Sequence, residues 1–371
     1  MISFVFSCVV RCIQLFYRYT VKMFGCCGKS LIRVNGRNFT IKETIGEGGF
    51  STVYLVEDKK SKSLYAIKET VCHSDGDEKA AVDEARILER FDHPNIVKCV
   101  DYGVLGHAGE SSHATSKVYL VMPYFPRGSL LKELEKRQKT RSHHSEAFVI
   151  ATFRKICEGV NAIHSLRPEA LAHRDLKPGN IMFDHNFTPI IIDFGSADKA
   201  VVNISTGRQA RMLEDSAAEK CTMPYRAPEL FMSDLSPVID QQSAGMRILP
   251  LIAANATLSP RRTTASKGDS KKHMSDLSPV IDQRTDVWSL GCILYAMCFF
   301  ESPFDAVVRR GDSVALAVMS GRILIPADSV YSKEVHDLIL WLLKTKPEDR
   351  PFVDQLLQAV RRMERRASMP I

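Results

Sequence analysis

The hydrophobic periodicity of the chain changes once, and this change constrains the fold more than any other feature. In the first third, apolar and β-branched runs alternate with polar residues at 39–45, 53–56, 64–67 and 118–122. Beyond residue 145, apolar residues recur at steps of three and four, as at Val149, Phe153, Ile156, Val160 and Ile163. The pattern predicts an α+β protein with a β-rich first lobe and a mainly helical second lobe. A cleft between the lobes is the default position for a functional site.

The charge distribution argues against a nucleic-acid-binding protein. The chain has 371 residues, of which 45% are hydrophobic and 25% charged, as in an ordinary globular protein. Its net charge of +7 is concentrated in residues 1–22 and 232–273, which carry +3 each. Because the rest of the chain is nearly neutral, we expect no nucleic-acid partner.

The cysteines indicate a reducing environment. Ten cysteines occur without a CxxC pair, so zinc sites and thioredoxin-type motifs have little support. Several lie in apolar runs, such as Cys292 within 290–294, where a buried thiol is the usual outcome. We therefore expect a cytoplasmic protein.

Residues 1–37 are predicted to form a membrane-association segment. Residues 2–10 are strongly apolar, but Arg11 and Arg18 follow them, so the run fits neither a secretory signal nor a membrane-spanning helix. On a helix these arginines share one narrow face, opposite the apolar residues between 6 and 17, as in a helix lying in the membrane surface. The alternative is an upstream extension, with Met23 as the start of the working protein.

A cysteine pair follows this predicted helix. Cys26 and Cys27, flanked by Lys22 and Lys29, are candidates for S-acylation. One lipid chain binds membranes weakly, so both cysteines, or one cysteine together with the helix, would be needed for a firm anchor. The alternative is a surface cysteine pair without a role.

A glycine-rich sequence points to phosphate binding. Residues 46–53 (GEGGFSTV) precede a strand rather than a helix, so Gly46 and Gly48 belong to a hairpin whose backbone N–H groups can approach phosphate oxygens. Taken alone, the sequence also fits an ordinary glycine turn. Lys68 ends an apolar strand run and needs an anionic partner, which Glu84 on the following charged helix can supply.

Five further motifs follow in order along the chain. They are HRDLKPGN (173–180), IIIDFG (190–195), APE (227–229), DVWSLG (286–291) and Arg350-Pro351. Each occurs by chance in unrelated proteins. All of them in this order, each on the expected element type, do not.

With these motifs the chain resembles the eukaryotic protein kinases over residues 38–363. Four stretches, at 46–58, 125–130, 208–231 and 311–318, narrow the likeness to the Numb-associated kinase family, nearest its myristoylated and palmitoylated serine/threonine kinase. The resemblance implies a two-lobed protein kinase fold with an N-lobe at 38–124, a C-lobe at 125–363 and a tail at 364–371. It also implies transfer of the ATP γ-phosphoryl group to serine and threonine hydroxyls with Mg²⁺.

The resemblance assigns catalytic and metal-binding roles. Lys68 would bind the α- and β-phosphates while paired with Glu84. Asp175 would accept or orient the proton of the substrate hydroxyl, and Lys177 would neutralise charge on the transferred group. Asn180 and Asp193 would be oxygen ligands of Mg²⁺.

Other residues are implied to bind ATP or to support the site. Met122 would lie beside the adenine and Pro123 and Phe125 in the hinge, and the full set implied around ATP is Ile45, Gly46, Gly48, Val53, Ala66, Lys68, Glu84, Met122, Pro123 and Phe125. Thr222 with Lys177 matches the serine/threonine pattern, and residues 208–219 favour an additional helix. Glu229 would pair with Arg350, and Asp286 would brace the catalytic-loop backbone.

Partners and location also follow from the resemblance. It implies protein substrates and a membrane surface, with the protein on the cytoplasmic side of Golgi or perinuclear membranes. The alternative is a catalytically weak, kinase-like scaffold, which would be free to lose some of the catalytic groups that this chain retains.

A repeat interrupts the second lobe. Residues 232–241 (MSDLSPVIDQ) recur identically at 274–283, which indicates a duplicated or retained segment. The intervening residues 242–273 have weak periodicity and little acidic charge, so we expect a disordered insert that buries little surface. Loop-closure cost rises slowly with length, so folding should survive it.

Overall fold

The computed structural model of the protein describes residues 31–106, 115–231 and 280–367, which fold as two compact units. Of these residues, unit one contains 31–85 and those described between Cys99 and Tyr124, and unit two contains Arg86–Lys98 and those described from Phe125 onward. Unit one is β-rich and unit two mainly helical, which confirms the predicted α+β class.

Unit one is built on a six-stranded antiparallel sheet in the order β1-β2-β3-β4-β6-β5. Its strands are β1 (Leu31–Val34), β2 (Arg37–Glu47), β3 (Ser51–Asp58), β4 (Leu64–Cys72), β5 (Asp101–Gly106) and β6 (Ser116–Pro123). Helix α1 (Asp75–Glu89) follows β4, and its sequence crosses the division between the units. The pairing of β2 with β3 confirms that the glycine-rich sequence is a hairpin.

The sheet starts earlier than the predicted N-lobe boundary at residue 38. Asn35 and Gly36, with φ of 43° and 81°, form the tight turn that pairs β1 with β2. The amide of Asn35 donates to Asp101 Oδ1 and to the Tyr102 carbonyl, both at 2.8 Å, which joins the edge strands β1 and β5. Assigning residues 31–37 to the membrane segment was therefore wrong, because this strand completes the buried core of the sheet.

The described residues of unit two form helices and three short antiparallel strand pairs. Its helices are α2 (Leu130–Thr140), α3 (Glu146–His164), α4 (Gly207–Lys220), α5 (Arg284–Phe299), α6 (Asp305–Arg310), α7 (Val314–Ser320), α8 (Lys333–Leu342) and α9 (Val353–Ala367). The pairs are β7 (Leu171–Ala172) with β10 (Asp198–Lys199), β8 (Ile181–Phe183) with β9 (Pro189–Ile191), and β11 (Val202–Asn203) with β12 (Val280–Ile281).

Helix α5 lies at the centre of unit two, as its apolar sequence predicts. Nearly all of its residues are buried, and a Cβ on Gly291 would lie 2.9 Å from the side chains of Leu342 and Leu343. Only glycine therefore allows α5 to pack this closely against α8.

Two predicted boundaries of unit two were wrong. Residues 86–98 belong to unit two rather than to the first lobe, because Val97 N–H donates to the Ile191 carbonyl at 2.9 Å and the Asn95 amide donates to the Pro189 carbonyl at 2.8 Å. The tail predicted at 364–371 begins too early, because α9 continues to Ala367 and Glu364 pairs with Arg154 at 2.7 Å.

Several predicted features lie outside the described residues. They include Cys26 and Cys27, the apolar segment at 2–10, the first copy of the repeat and the insert at 242–273. The second copy ends inside the structure, where it supplies β12. Of the helices at 31–106, 115–231 and 280–367, none combines the length and apolarity needed to cross a bilayer.

Candidate active site

Strand register places the predicted ATP-binding side chains of unit one on one face of the sheet. Val53 pairs with Lys68 across β3 and β4, and Ala66 pairs with Met122 across β4 and β6. Directly paired residues, and residues two apart on a strand, share a face. These four side chains therefore share a face, whereas the fully buried Ile67 points to the other side.

The glycine hairpin closes the end of this face. Gly46 pairs with Val53, and the Gly48 N–H donates to the Ser51 carbonyl at 2.7 Å. The tip is tied to β4 by the Val71 N–H, which donates to the Phe50 carbonyl at 3.0 Å, although the Phe50 side chain is 70% exposed. The backbone of the hairpin is thus ordered while its tip faces solvent.

Two further residues implied to bind ATP, Ile45 and Pro123, lie at strand ends or irregularities of the sheet. Ile45 falls at an irregularity of the β2–β3 pairing and is 37% exposed, and Pro123 ends β6 opposite Tyr65. Phe125 belongs to unit two, where its carbonyl accepts from the Gly128 N–H at 3.1 Å.

The predicted pair of Lys68 and Glu84 is present. Lys68 Nζ lies 2.8 Å and 2.9 Å from the two carboxylate oxygens of Glu84. Helix α1 presents Glu84 because its start is fixed by Ser74 Oγ, which accepts from the Asp77 N–H at 3.1 Å, and by acidic residues in its first turn. Lys68 lies in the middle of β4 rather than at its end, since the strand continues to Cys72.

Asp286 at the start of α5 braces the loop that carries the HRD motif. Its Oδ2 accepts from the His173 N–H at 2.7 Å, and its Oδ1 accepts from the Arg174 N–H at 2.8 Å. His164 Nε2 lies 2.8 Å from the same Oδ2. Burial raises the pKa of Asp286, but the hydrogen bonds from His164 and from the His173 N–H, together with the electrostatic interaction with both residues, outweigh burial and hold this pKa below its usual value. The carboxylate is therefore ionised although it has no exposed area.

Asp175 is held from two sides. Its Oδ1 accepts from the Thr222 N–H at 2.8 Å, and its Oδ2 accepts from Lys177 Nζ at 2.7 Å. Lys177 Nζ also donates to Thr222 Oγ1 at 2.6 Å. This network fixes the orientation of the Asp175 carboxylate and joins the catalytic loop to the segment after α4.

Asn180 and Asp193 lie at the same end of the β8–β9 pair. Asn180 precedes β8, Asp193 lies two residues beyond β9, and the Ile192 N–H donates to the Asn180 carbonyl at 2.9 Å. The Asn180 side-chain nitrogen donates to the Asp175 carbonyl at 2.9 Å, so Oδ1 is the atom of this amide that a cation would bind. One amide oxygen and one carboxylate form a donor set that suits Mg²⁺.

The segment from α4 to α5 supports this arrangement. Helix α4, predicted at 208–219, starts with a capping box between Thr206 and Gln209. Further on, the Arg350 guanidinium donates to both carboxylate oxygens of Glu229 at 2.8 Å and 2.7 Å. Glu229 and Arg350, which the sequence analysis paired, are thus in contact.

The cysteine beside Thr222 takes no part in the chemistry. Burial raises the pKa of Cys221 to about 11, so this thiol is protonated and is not a nucleophile.

Two supporting residues escaped the sequence analysis. His164 touches Asp286, and Asp198 Oδ2 accepts from Arg174 Nη1 at 3.2 Å. Arg174, with φ of 64°, also donates to the Lys199 carbonyl at 2.9 Å. No local pattern marks His164 or Asp198, because each acts on a residue far from it in sequence.

Comparisons with known proteins agree with one another. The protein kinase domain family matches residues 39–279 and 276–360 of the chain. Serine/threonine-protein kinase 16 of Homo sapiens is 34% identical over 338 residues, which cover 91% of this chain and 94% of that protein. The Rattus norvegicus protein of the same name is 33% identical over the same shares of both chains. Serine/threonine-protein kinase ppk13 of Schizosaccharomyces pombe is 26% identical over 362 residues, which cover 89% and 92%.

Proposed function

Because the chain belongs to the protein kinase family and is a serine/threonine protein kinase, we propose that it transfers the γ-phosphoryl group of ATP to protein hydroxyls at a membrane of the secretory pathway. The observation that carries the chemical part is the double anchoring of Asp175 by Lys177 and the Thr222 N–H. The finer placement, in the Numb-associated kinase family near its myristoylated and palmitoylated member, rests on the sequence stretches at 208–231 and 311–318.

Lys68 holds the α- and β-phosphates in this proposal. Both carboxylate oxygens of Glu84 accept from its ammonium group within 2.9 Å, which fixes the position of Nζ. The side chain is only 17% exposed, so its field is weakly screened by water. The hairpin N–H groups around Gly48 supply further donors for phosphate oxygens.

Asp175 and Lys177 act on the acceptor. Asp175 orients the substrate hydroxyl and takes its proton as the phosphoryl group is transferred, and Lys177 balances the charge that develops. The shared contacts with Thr222 keep both side chains in fixed positions, so little reorganisation is needed during the reaction.

Asn180 and Asp193 would hold Mg²⁺, and the oxygen donors that they present fit this ion. When bound, Mg²⁺ neutralises phosphate charge. Asp193 has φ of 65°, a left-handed backbone conformation that is uncommon for residues other than glycine and that aspartate tolerates better than most.

Phosphotransfer by matched variants tests the chemistry. Asp193→Asn and Lys68→Met should each abolish transfer of labelled phosphate from ATP to a generic protein while leaving the fold intact by circular dichroism. The exposed Asp215→Asn and Lys132→Met are controls that should keep wild-type turnover. Nucleotide binding without transfer by the wild-type chain would instead favour a scaffold, and near-normal activity of Asp193→Asn would overturn the metal assignment.

Membrane association is proposed to depend on residues 1–29. The support is the amphipathic pattern of residues 6–17 and the pair Cys26-Cys27 beside basic residues. Golgi or perinuclear membranes are the proposed location, since the family resemblance implies them.

Replacing both cysteines tests the anchor. Cys26→Ser combined with Cys27→Ser should move the protein from the membrane pellet to the soluble fraction and release it from a Golgi marker in microscopy. Cys99→Ser, within unit one, is the control and should change neither. Unchanged sedimentation of the double variant would rule out acylation at this pair and leave residues 6–17 as the anchor.

A further inference from the structure

A groove between α8 and α9 in unit two lies outside the proposed chemistry. Its volume is about 390 Å³, and none of the residues assigned to ATP, Mg²⁺ or the acceptor lines it. Its apolar residues include Leu338, which is buried, and Trp341 and Met363, which are half-buried. These residues form the floor, because the charged lining residues are exposed.

The two helices are held in place by the body of unit two. Helix α9 packs along α3, and α8 packs against α5. Arg366 Nη1 also lies 2.9 Å from Glu334 Oε1, which bridges the two helices at one end of the groove. The groove is therefore a preformed feature of packed helices rather than of a loop.

The four charged residues that line the groove, two acids and two arginines, sum to zero, but their ion pairs leave one arginine over. Glu334 is neutralised by Arg366, and Asp337 is paired with Lys333 at 2.6 Å. Arg362 also lines the groove and has no ion pair among residues 31–106, 115–231 and 280–367. An incoming carboxylate would thus meet one unsatisfied guanidinium, which binds carboxylates through two parallel hydrogen bonds.

We propose that this groove binds an acidic peptide segment of a partner protein, with one large apolar side chain against Trp341 and Met363 and a carboxylate on Arg362. The volume suits one or two large side chains, and a concave site favours an inserted anchor. A flat membrane surface fits less well, because the apolar side chains of Trp341 and Met363 lie in a concave groove rather than on a protruding face. The segment would recruit the partner without taking part in phosphotransfer.

The two tryptophans of the chain give a direct readout. Trp288 is fully buried, whereas Trp341 lies in the groove and is half-exposed. Short random peptides displayed on phage are selected against the full chain, and the enriched peptides are synthesised. We expect them to be acidic with one aromatic or large aliphatic residue, and to protect Trp341 from acrylamide quenching on binding.

Two charge reversals on α9 form a matched pair. Arg362→Glu, at the groove, should weaken binding of the enriched peptides by about tenfold or more, the usual scale for losing a paired charge. Arg365→Glu, exposed on the same helix but outside the groove lining, should change it by less than about twofold. Both variants should keep the wild-type rate on a generic substrate, which separates this proposal from the proposed catalytic function.

Three results would overturn the proposal. One is enrichment of basic or purely polar peptides, and another is equal weakening by Arg362→Glu and Arg365→Glu. The third is an absence of enriched peptides together with sedimentation on phosphatidylserine vesicles that Arg362→Glu abolishes, which would make this face a membrane contact instead.

Discussion

Lys68 in unit one and the catalytic loop in unit two are each held by a buried carboxylate, Glu84 and Asp286, but the groups that these carboxylates bind differ in exposure. The Lys68 side chain, which pairs with Glu84, is 17% exposed, and the nearby hairpin tip at Phe50 faces solvent. Asp286 in unit two has no exposed area and accepts from His164, His173 and Arg174. Buried polar contacts fix geometry but are costly to break, whereas exposed ones tolerate change. Substitutions should therefore cost most in unit two.

The largest effect is expected from Arg350→Met. The Arg350 side chain has no exposed area and donates to Glu229 and to the carbonyls of Arg284, Lys344 and Thr345. Its loss leaves the Glu229 carboxylate buried without its partner, and the free energy of unfolding should fall by about 3–5 kcal/mol. Urea denaturation followed by circular dichroism measures this.

An exposed ion pair supplies the control for that experiment. Lys333→Met breaks only the pair with Asp337 and should cost less than about 0.5 kcal/mol. Equal losses for Arg350→Met and Lys333→Met would show that burial does not set the cost in unit two.

Asp286→Asn should lower kcat, which depends on the catalytic loop of unit two, without changing the KM for ATP, which depends on unit one. Asparagine retains one acceptor oxygen, so one of the donors from His164, His173 or Arg174 loses its partner and the position of Asp175 relaxes. We expect kcat to fall by about 10- to 100-fold. The KM for ATP should stay within about twofold, because Lys68 and Glu84 are untouched. Steady-state kinetics with varied ATP tests this, and a rise in KM with unchanged kcat would contradict it.

Deleting residues 232–273 tests whether unit two is stable with a short connection between Phe231 and Val280. Phe231 N–H bonds to the Pro228 carbonyl and β12 pairs with β11, so both ends of the connection stay anchored. The connection shortens from 48 to 6 residues between Phe231 and Val280, and at about 0.6 kcal/mol per halving the protein should become about 2 kcal/mol more stable. A large loss in thermal stability would instead make the deleted segment a structural element.

The smallest effect is expected from Arg37→Met in unit one. The hydrogen bond from Arg37, with those from the Lys60 and Ser61 N–H groups, holds the pKa of Asp58 below its usual value. The folded pKa lies below the unfolded one, about 3.9, so this stabilisation is present above that pH and is lost as the pH falls through the folded pKa. The variant should be about 1 kcal/mol less stable at pH 7.

The pH dependence distinguishes this effect from lost packing. The stability difference between wild type and Arg37→Met should shrink as the pH falls from the unfolded pKa of Asp58, about 3.9, through its lower folded pKa, below which the carboxyl is protonated in both proteins. Arg33→Met, an exposed position on β1, is the control and should be neutral at both pH values. A difference that persists at low pH would point to the contacts of Arg37 with the rings of Phe39 and Tyr65 instead.

Most elements of unit one have a local signal in the sequence, including one strand that the sequence analysis did not assign. The hairpin at 46–53 and the pair Lys68–Glu84 followed from glycine placement and from a charge inside an apolar run. The strand Leu31–Val34 was missed although Leu31-Ile32-Arg33-Val34 alternates and Asn35-Gly36 is a strong hairpin signal. The boundary was placed at residue 38 because the predicted membrane segment, which begins with the apolar N-terminus, was extended over this strand.

The supporting contacts of unit two were beyond local signals. His164 and Asp286 are 122 residues apart, and Arg174 meets Asp198 through the β7–β10 pair. Hydrogen bonds of this kind depend on how helices and strands pack, and packing leaves no period in the sequence.

The amino-acid sequence by itself determined the chemistry, because phosphoryl transfer needs particular residue types at particular spacings, from Lys68 to Asp193. Only the tertiary structure decided that residues 280–283, at the end of the second copy of the repeat, pack into unit two. They do so because Ile281 pairs with Val202 and Asp282 accepts from the Arg284 N–H where α5 begins. These residues directly precede the buried helix α5, so their place follows from covalent continuity with that helix, which the repeated sequence alone does not indicate.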